Sequence, residues 1–162
     1  MEVNSNMPHP NPMAISVLIV DDEPGMCSLL NKALRKKFTL VETAGSVEEA
    51  EELRKRCHFD LLIVDIKLPG RSGMEWHEAL QQTARCSDVI FMTAYADLET
   101  AIQALRVGAS DFILKPFRLE QMMNAVDRCI ERRSIARANF VLQREVENTY
   151  PTTSMIGNSP AI

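Results

Sequence analysis

Asp60-Leu61-Leu62-Ile63-Val64-Asp65-Ile66-Lys67-Leu68-Pro69-Gly70 is the stretch whose reading decides the fold. Its consecutive apolar residues, partly β-branched and bounded by a Pro-Gly turn signal, read as a short strand buried on both faces, the kind found inside parallel sheets. The run ends on a carboxylate, Asp65. In open parallel α/β sheets ligands sit just beyond the carboxyl ends of the strands, so an acid there has a functional address. Taken alone, Asp65 is also an ordinary turn residue, and other residues have to converge on it.

Upstream, residues 15–20 form a second apolar run that enters Asp21-Asp22-Glu23 and then Pro24. Proline suits the first turn of a helix, and Met26, Leu29, Leu30, Ala33 and Leu34 recur at helical spacing. Residues 38–44 read as a strand ending at Gly45. Ser46 with Glu49 three residues later is a capping box, opening a helix whose Val47, Ala50 and Leu53 face inward. Downstream, a helix is expected from about Met74 through Leu80, with Trp76 as a packing anchor. Residues 89–93 are a strand finishing on Thr93. The helix over 98–107 is expected to carry Ala101, Ile102 and Leu105 inward and to stop at Gly108. Residues 111–115 form a strand closed by Pro116, and a helical pattern follows through Leu119, Met122, Val126 and Ile130. Five strands alternating with five helices predict an α/β fold, a parallel sheet covered on both faces with right-handed crossovers.

The 162 residues suffice for one domain plus tails, and the formal charge of -4 lacks the basic excess of a DNA-binding surface. Direct DNA binding by this portion is therefore not expected. The start of the chain has no secretory pattern and no apolar run spans a membrane, which predicts a cytoplasmic protein with a disordered leader over 1–14. Cys27, Cys57, Cys86 and Cys129 are widely spaced and read as reduced, mostly packed thiols. His9, His58 and His77 read as surface or partly packed side chains. Past Arg133 the pattern loosens into a weak heptad-like stripe of Ile135, Ala138, Leu142 and Glu145, which Pro151 breaks. The expected organisation is a main domain over 15–133, a helical extension over 134–150, and a linker over 151–162.

The polar residues at the strand ends form a set: Asp21, Asp22, Asp65, Thr93 and Lys115. If the first and third strands are neighbours, three carboxylates share one cleft. Two unit charges about 4 Å apart repel by about 4 kcal/mol at an effective dielectric near 20, so a bare cluster calls for a proton or a cation. Oxygen ligands in a partly open cleft suit Mg²⁺. A hydroxyl and an ammonium beside that ion would make a receptor for a phosphoryl group carried on Asp65. The ordinary alternatives are that Asp21 and Asp22 cap the helix, Thr93 is strand-end polarity, Lys115 a solvated charge and Phe112 plain core.

Val20-Asp21-Asp22-Glu23, Leu62-Ile63-Val64-Asp65 with Leu68-Pro69-Gly70, Met92-Thr93-Ala94 and Leu114-Lys115-Pro116-Phe117 together resemble the receiver domain of bacterial two-component response regulators. The resemblance covers about residues 15–133. It implies a flavodoxin-like (βα)5 sheet in strand order 2-1-3-4-5, Asp65 as phosphoacceptor and a histidine kinase as donor. It also implies Asp21, Asp22, Asp65 and the Lys67 backbone carbonyl as Mg²⁺ contacts, with Thr93 and Phe112 as switch residues. Phe112 lacks the hydroxyl that a tyrosine would bring there. The Lys115-Pro116 bond is expected to be cis. Tyr95 and Lys67 are expected to flank the phosphoryl approach, with the Tyr95 ring hindering the attacking water. Phosphorylation is expected to alter the face made by residues 98–107, 111–114 and the last helix, favouring a homodimer. The segment Met155-Ile156-Gly157-Asn158-Ser159-Pro160-Ala161-Ile162 is similar to the opening of the ATPase domain of NtrC-like sigma-54 activators. No phosphate loop follows, so a chain truncated before that domain is expected.

Rival readings are separable. A flavin-binding electron carrier shares the fold, but Asp21-Asp22-Glu23 repels a phosphate. A phosphatase of the haloacid dehalogenase type wants an acid two residues after its nucleophile, where Lys67 stands. A degenerate receiver serving only as an interaction module would keep the fold and lose the chemistry.

Overall fold

The computed structural model describes residues 13–82, 87–94 and 98–149. The chain falls into two units, 1–125 and 126–162. In the first, β1 (Met13–Val20), β2 (Phe38–Ala44), β3 (Leu61–Asp65), β4 (Asp88–Thr93) and β5 (Asp111–Leu114) form one parallel sheet in the order β2-β1-β3-β4-β5. Between them run α1 (Pro24–Leu34), α2 (Val47–Arg56), α3 (Gly73–Gln81) and α4 (Leu98–Arg106). The last helix, α5 (Leu119–Thr149), begins in the first unit and makes up the described part of the second.

The apolar runs become the central strands because both of their faces are covered. Residues 17–20, 61–64 and 89–92 are at most 1% exposed. Each side chain so buried contributes about 1.5–3 kcal/mol. β1 begins two residues before the predicted strand, at Met13, because the Met13 amide donates to the Lys37 carbonyl at 2.9 Å.

Local chemistry sets the helix ends. Ser46 Oγ accepts from the Glu49 amide at 3.2 Å, and Glu49 Oε2 accepts from the Gly45 amide at 2.7 Å, so the capping box reaches one residue further back than in its usual form. The last turn of α4 closes with the Ala109 amide on the Ala104 carbonyl and the Gly108 amide on the Leu105 carbonyl. This Schellman pattern needs the positive φ of 82° that Gly108 adopts without strain. Trp76 is a packing anchor, 1% exposed, and its indole Nε1–H donates to Glu51 Oε1.

Two expectations are corrected. On α4, Ile102 and Leu105 are 40% and 71% exposed, and the buried residues are Ala104 and, just after the helix, Val107. The face that α4 turns to the core is the one carrying the small Ala104, and the larger apolar side chains stay outside. His77 is buried, while His58 does lie at the surface. Cys27 and Cys129 are buried and Cys57 is half-buried, and none of the three is in a disulfide. Cys86, Tyr95, His9 and most of the expected leader lie outside the described residues. Among the described residues no helix is long and apolar enough to cross a membrane.

In the second unit the helix runs unbroken from 126 to Thr149, with Ile135 and Leu142 of the sequence stripe more than half exposed.

Candidate phosphoryl and metal site

Parallel pairing brings the strand-end residues together. Val20 is in register with Val64, so Asp21 and Asp65 leave adjacent strands side by side. Asp65 is level with Met92, and Thr93 is level with Leu114, so Thr93 sits one residue and Lys115 two residues further out along their strands. The long lysine stem reaches back across that stagger. Its ammonium lies 2.7 Å from Asp21 Oδ2 and 2.8 Å from Asp65 Oδ2. The Lys115-Pro116 bond is cis, as expected.

The remaining carboxylate oxygens are held by the backbone. Asp65 Oδ1 accepts from the Lys67 amide at 2.9 Å, and Asp21 Oδ1 accepts from the Glu23 amide at 2.9 Å. Neither bond is a helix cap. Glu23 is the N-cap of α1 and makes no side-chain cap bond, so the capping alternative for Asp21 and Asp22 is not what the chain uses. Asp21, Asp65 and Thr93 are buried, and Asp22 is exposed at the mouth. One oxygen from each of Asp21, Asp22 and Asp65 lies within 4.8 Å of the others.

Two of the three clustered acids share one lysine, and the protonation preferences follow. Burial pushes the Asp65 carboxyl above its ordinary range; Lys115 and the Lys67 amide pull it down without cancelling the rise, and Asp21 adds to it. Burial alone would lower Lys115, but its bonds to Asp21 and Asp65 prevail and hold it up at about 12. The lysine is satisfied while Asp65 remains under-compensated. Such a donor set, all hard oxygen with excess negative charge, fits a hard divalent cation.

Thr93 closes the far side of the group, its carbonyl accepting from the Lys115 amide at 2.8 Å. Phe112 is half-buried against the core one strand away. The Lys67 side chain is exposed beside the mouth. Gly73 escaped the reading of the sequence. A Cβ there would lie 2.6 Å from the Asp65 carbonyl oxygen and 2.9 Å from Val64 Cγ1, so only glycine lets the start of α3 pass behind the acid. The signal was present, since a glycine opening a helix sacrifices helix propensity.

A parallel sheet with acids, a buried hydroxyl and a lysine at its carboxyl edge defines a signalling receiver. The family model for the response regulator receiver domain matches residues 17–127, and the chain belongs to that family. It is 37% identical over 143 residues to the response regulator protein PilR of Pseudomonas aeruginosa, covering 88% of this chain and 30% of the relative. It is 31% identical over 146 residues to the DNA-binding transcriptional regulator NtrC of Salmonella typhimurium, covering 90% and 30% respectively. The chain thus spans about a third or less of the length of these relatives. The solution structure of the beryllofluoride-activated NtrC4 receiver domain dimer superposes with a TM-score of 0.67 at 29% identity, covering 72% of this chain and 97% of that one.

Proposed function

We propose that the chain is a phosphorylation switch that accepts a phosphoryl group on Asp65 from a histidine kinase. The observation that carries this reading is the Lys115 ammonium bridging Asp21 and Asp65 at one open strand edge. An Asp65 oxygen attacks phosphorus in line, the phosphorus–nitrogen bond of the donor phosphohistidine breaks, and its electron pair returns to the imidazole. Lys115 then exchanges a carboxylate for a phosphoryl oxygen, and the Thr93 hydroxyl donates to another. Asp21, Asp22, Asp65 and the Lys67 carbonyl would hold Mg²⁺, which supplies charge neutralisation to the phosphoryl oxygens. The Lys67 amide keeps Asp65 oriented for attack.

Phe112 and Thr93 carry the change outward to α4 and β5, whose exposed Ile102, Leu105 and Leu114 suit a phosphorylation-dependent homodimer. We place this receiver, over about 15–133, in the cytoplasm as the input of an NtrC-like sigma-54 activator. Tyr95 is the residue that hinders hydrolytic water.

Intact-mass measurement after Mg²⁺ and acetyl phosphate tests the assignment. One phosphate adduct is expected on the parent and none on Asp65→Asn. An adduct that survives in the variant, or no adduct on the parent with its own kinase, overturns it.

A further inference from the structure

His77 is 5% exposed, and its Nδ1 has no hydrogen-bond partner among the described residues. A buried polar atom left unsatisfied is costly, so the other nitrogen has to justify the residue. His77 Nε2 lies 2.8 Å from the Val107 carbonyl oxygen. A carbonyl only accepts, so Nε2 carries a proton, and burial, which pushes the ring's pKa down, favours the neutral imidazole. The ring stands edge-on to Phe91 at 5.5 Å. Gln81, one turn along α3, donates its amide to the same Val107 oxygen. The 3.2 Å between Gln81 Nε2 and His77 Nε2 is then the spacing of two donors sharing one acceptor.

Val107 follows α4, where the end of a helix leaves carbonyls without intrahelical partners. The carbonyls of Gln103, Ala104 and Leu105 are taken by the amides of Val107, Ala109 and Gly108. That of Val107 is taken only from α3, among the described residues. Gly108 makes room for this reach, since a Cβ there would lie 2.7 Å from Gln81 Nε2. A cleft of about 150 Å³ lined by Leu80, Gln81, Gly108 and Ser110 lies alongside, so Gln81 has space to swing away.

The rest of α4 is thinly held. Ile102 and Leu105 face solvent, and among its described side chains only Ala104 is buried, the kind of sparse packing that goes with low local stability. Its ends lead to the site: α4 follows Thr93 by five residues, and beyond Val107 the chain enters β5, which delivers Lys115.

We propose that His77 and Gln81 form a latch on Val107 that holds α4 in its unphosphorylated position and opens on phosphorylation. This rests on the phosphoryl reading of Asp65 and adds to it the positioning residues that set the switching equilibrium. Both side chains act through α4, away from the reacting atoms.

The test compares the parent with Gln81→Ala, an exposed position where the fold is retained, and with His77→Leu. Hydrogen exchange of the amides over 102–109 in the unphosphorylated protein should speed up about three- to tenfold in Gln81→Ala, the worth of one net hydrogen bond. Beryllofluoride should bind tighter by a similar factor, because an opened latch raises the competent population. His77→Leu should show the larger effect in both. Unchanged exchange overturns the latch. Faster exchange with unchanged beryllofluoride affinity overturns its link to the switch. A parent that binds no beryllofluoride overturns the phosphoryl reading itself, which is seen before any variant is compared.

Discussion

Replacing Lys115 with methionine keeps most of the stem and removes the charge that Asp21 and Asp65 share. The ammonium is 2.7 and 2.8 Å from the two carboxylates, and the three side chains are 9%, 0% and 9% exposed. Without it, carboxylate oxygens within 4.8 Å of each other face no counter-charge. At that spacing two unit charges repel by about 3.5 kcal/mol at an effective dielectric near 20. Breaking a buried pair from one side costs about 3–5 kcal/mol, so the two routes agree. Relief comes from protonating Asp65, which burial already favours. The sign follows: an acid whose folded pKa is raised costs stability when ionised, so the loss grows with pH and fades as pH falls through that pKa. Urea unfolding of Lys115→Met at pH 8 in chelator should therefore show about 3 kcal/mol less stability than the parent. The deficit should shrink at pH 5, and millimolar Mg²⁺ at pH 8 should recover most of it. A variant within about 0.5 kcal/mol of the parent at pH 8 in chelator, with no response to Mg²⁺, would refute the electrostatic account of the site.

Gly73→Ala forces a methyl to within 2.6 Å of the Asp65 carbonyl oxygen; it should cost about 1–3 kcal/mol in thermal or urea unfolding and also slow acetyl phosphate labelling of Asp65. Lys115, held at about 12, stabilises the fold fully below its ordinary value and loses that contribution as pH rises through about 12, so the stability gap between the parent and Lys115→Met should narrow at the alkaline end. His77 runs the other way: burial lowers its pKa despite the Val107 carbonyl and Glu78, so its contribution is full above about 6.5 and falls as pH drops toward the lowered value. The acid slope of unfolding free energy should be shallower in His77→Leu, by at most about 1.4 kcal/mol per pH unit.

Much of the molecule was legible along the chain because its main signals are local. Runs such as residues 61–64 announce strands buried on both faces, Ser46 with Glu49 announces a helix start, and Gly108 announces a helix end. The candidate site was legible for a related reason, since Asp21, Asp65, Thr93 and Lys115 each directly end an apolar run. Ile102 and Leu105 were misread because apolar spacing identifies a stripe without saying which side of it another element will cover. His77 was misread because burial of a polar group depends on an acceptor supplied thirty residues later, at Val107.

By itself, the order of residues determined that five strands alternate with five helices and that polar groups stand where strands end. Only the packed sheet decided that Asp21 and Asp65 lie side by side, that Lys115 reaches back to both, and that Gly73 must pass behind the acid. The division has one physical cause. Hydrogen-bonding pattern and side-chain period are properties of neighbours in sequence, whereas register, burial and charge balance arise when distant segments exclude water from one another.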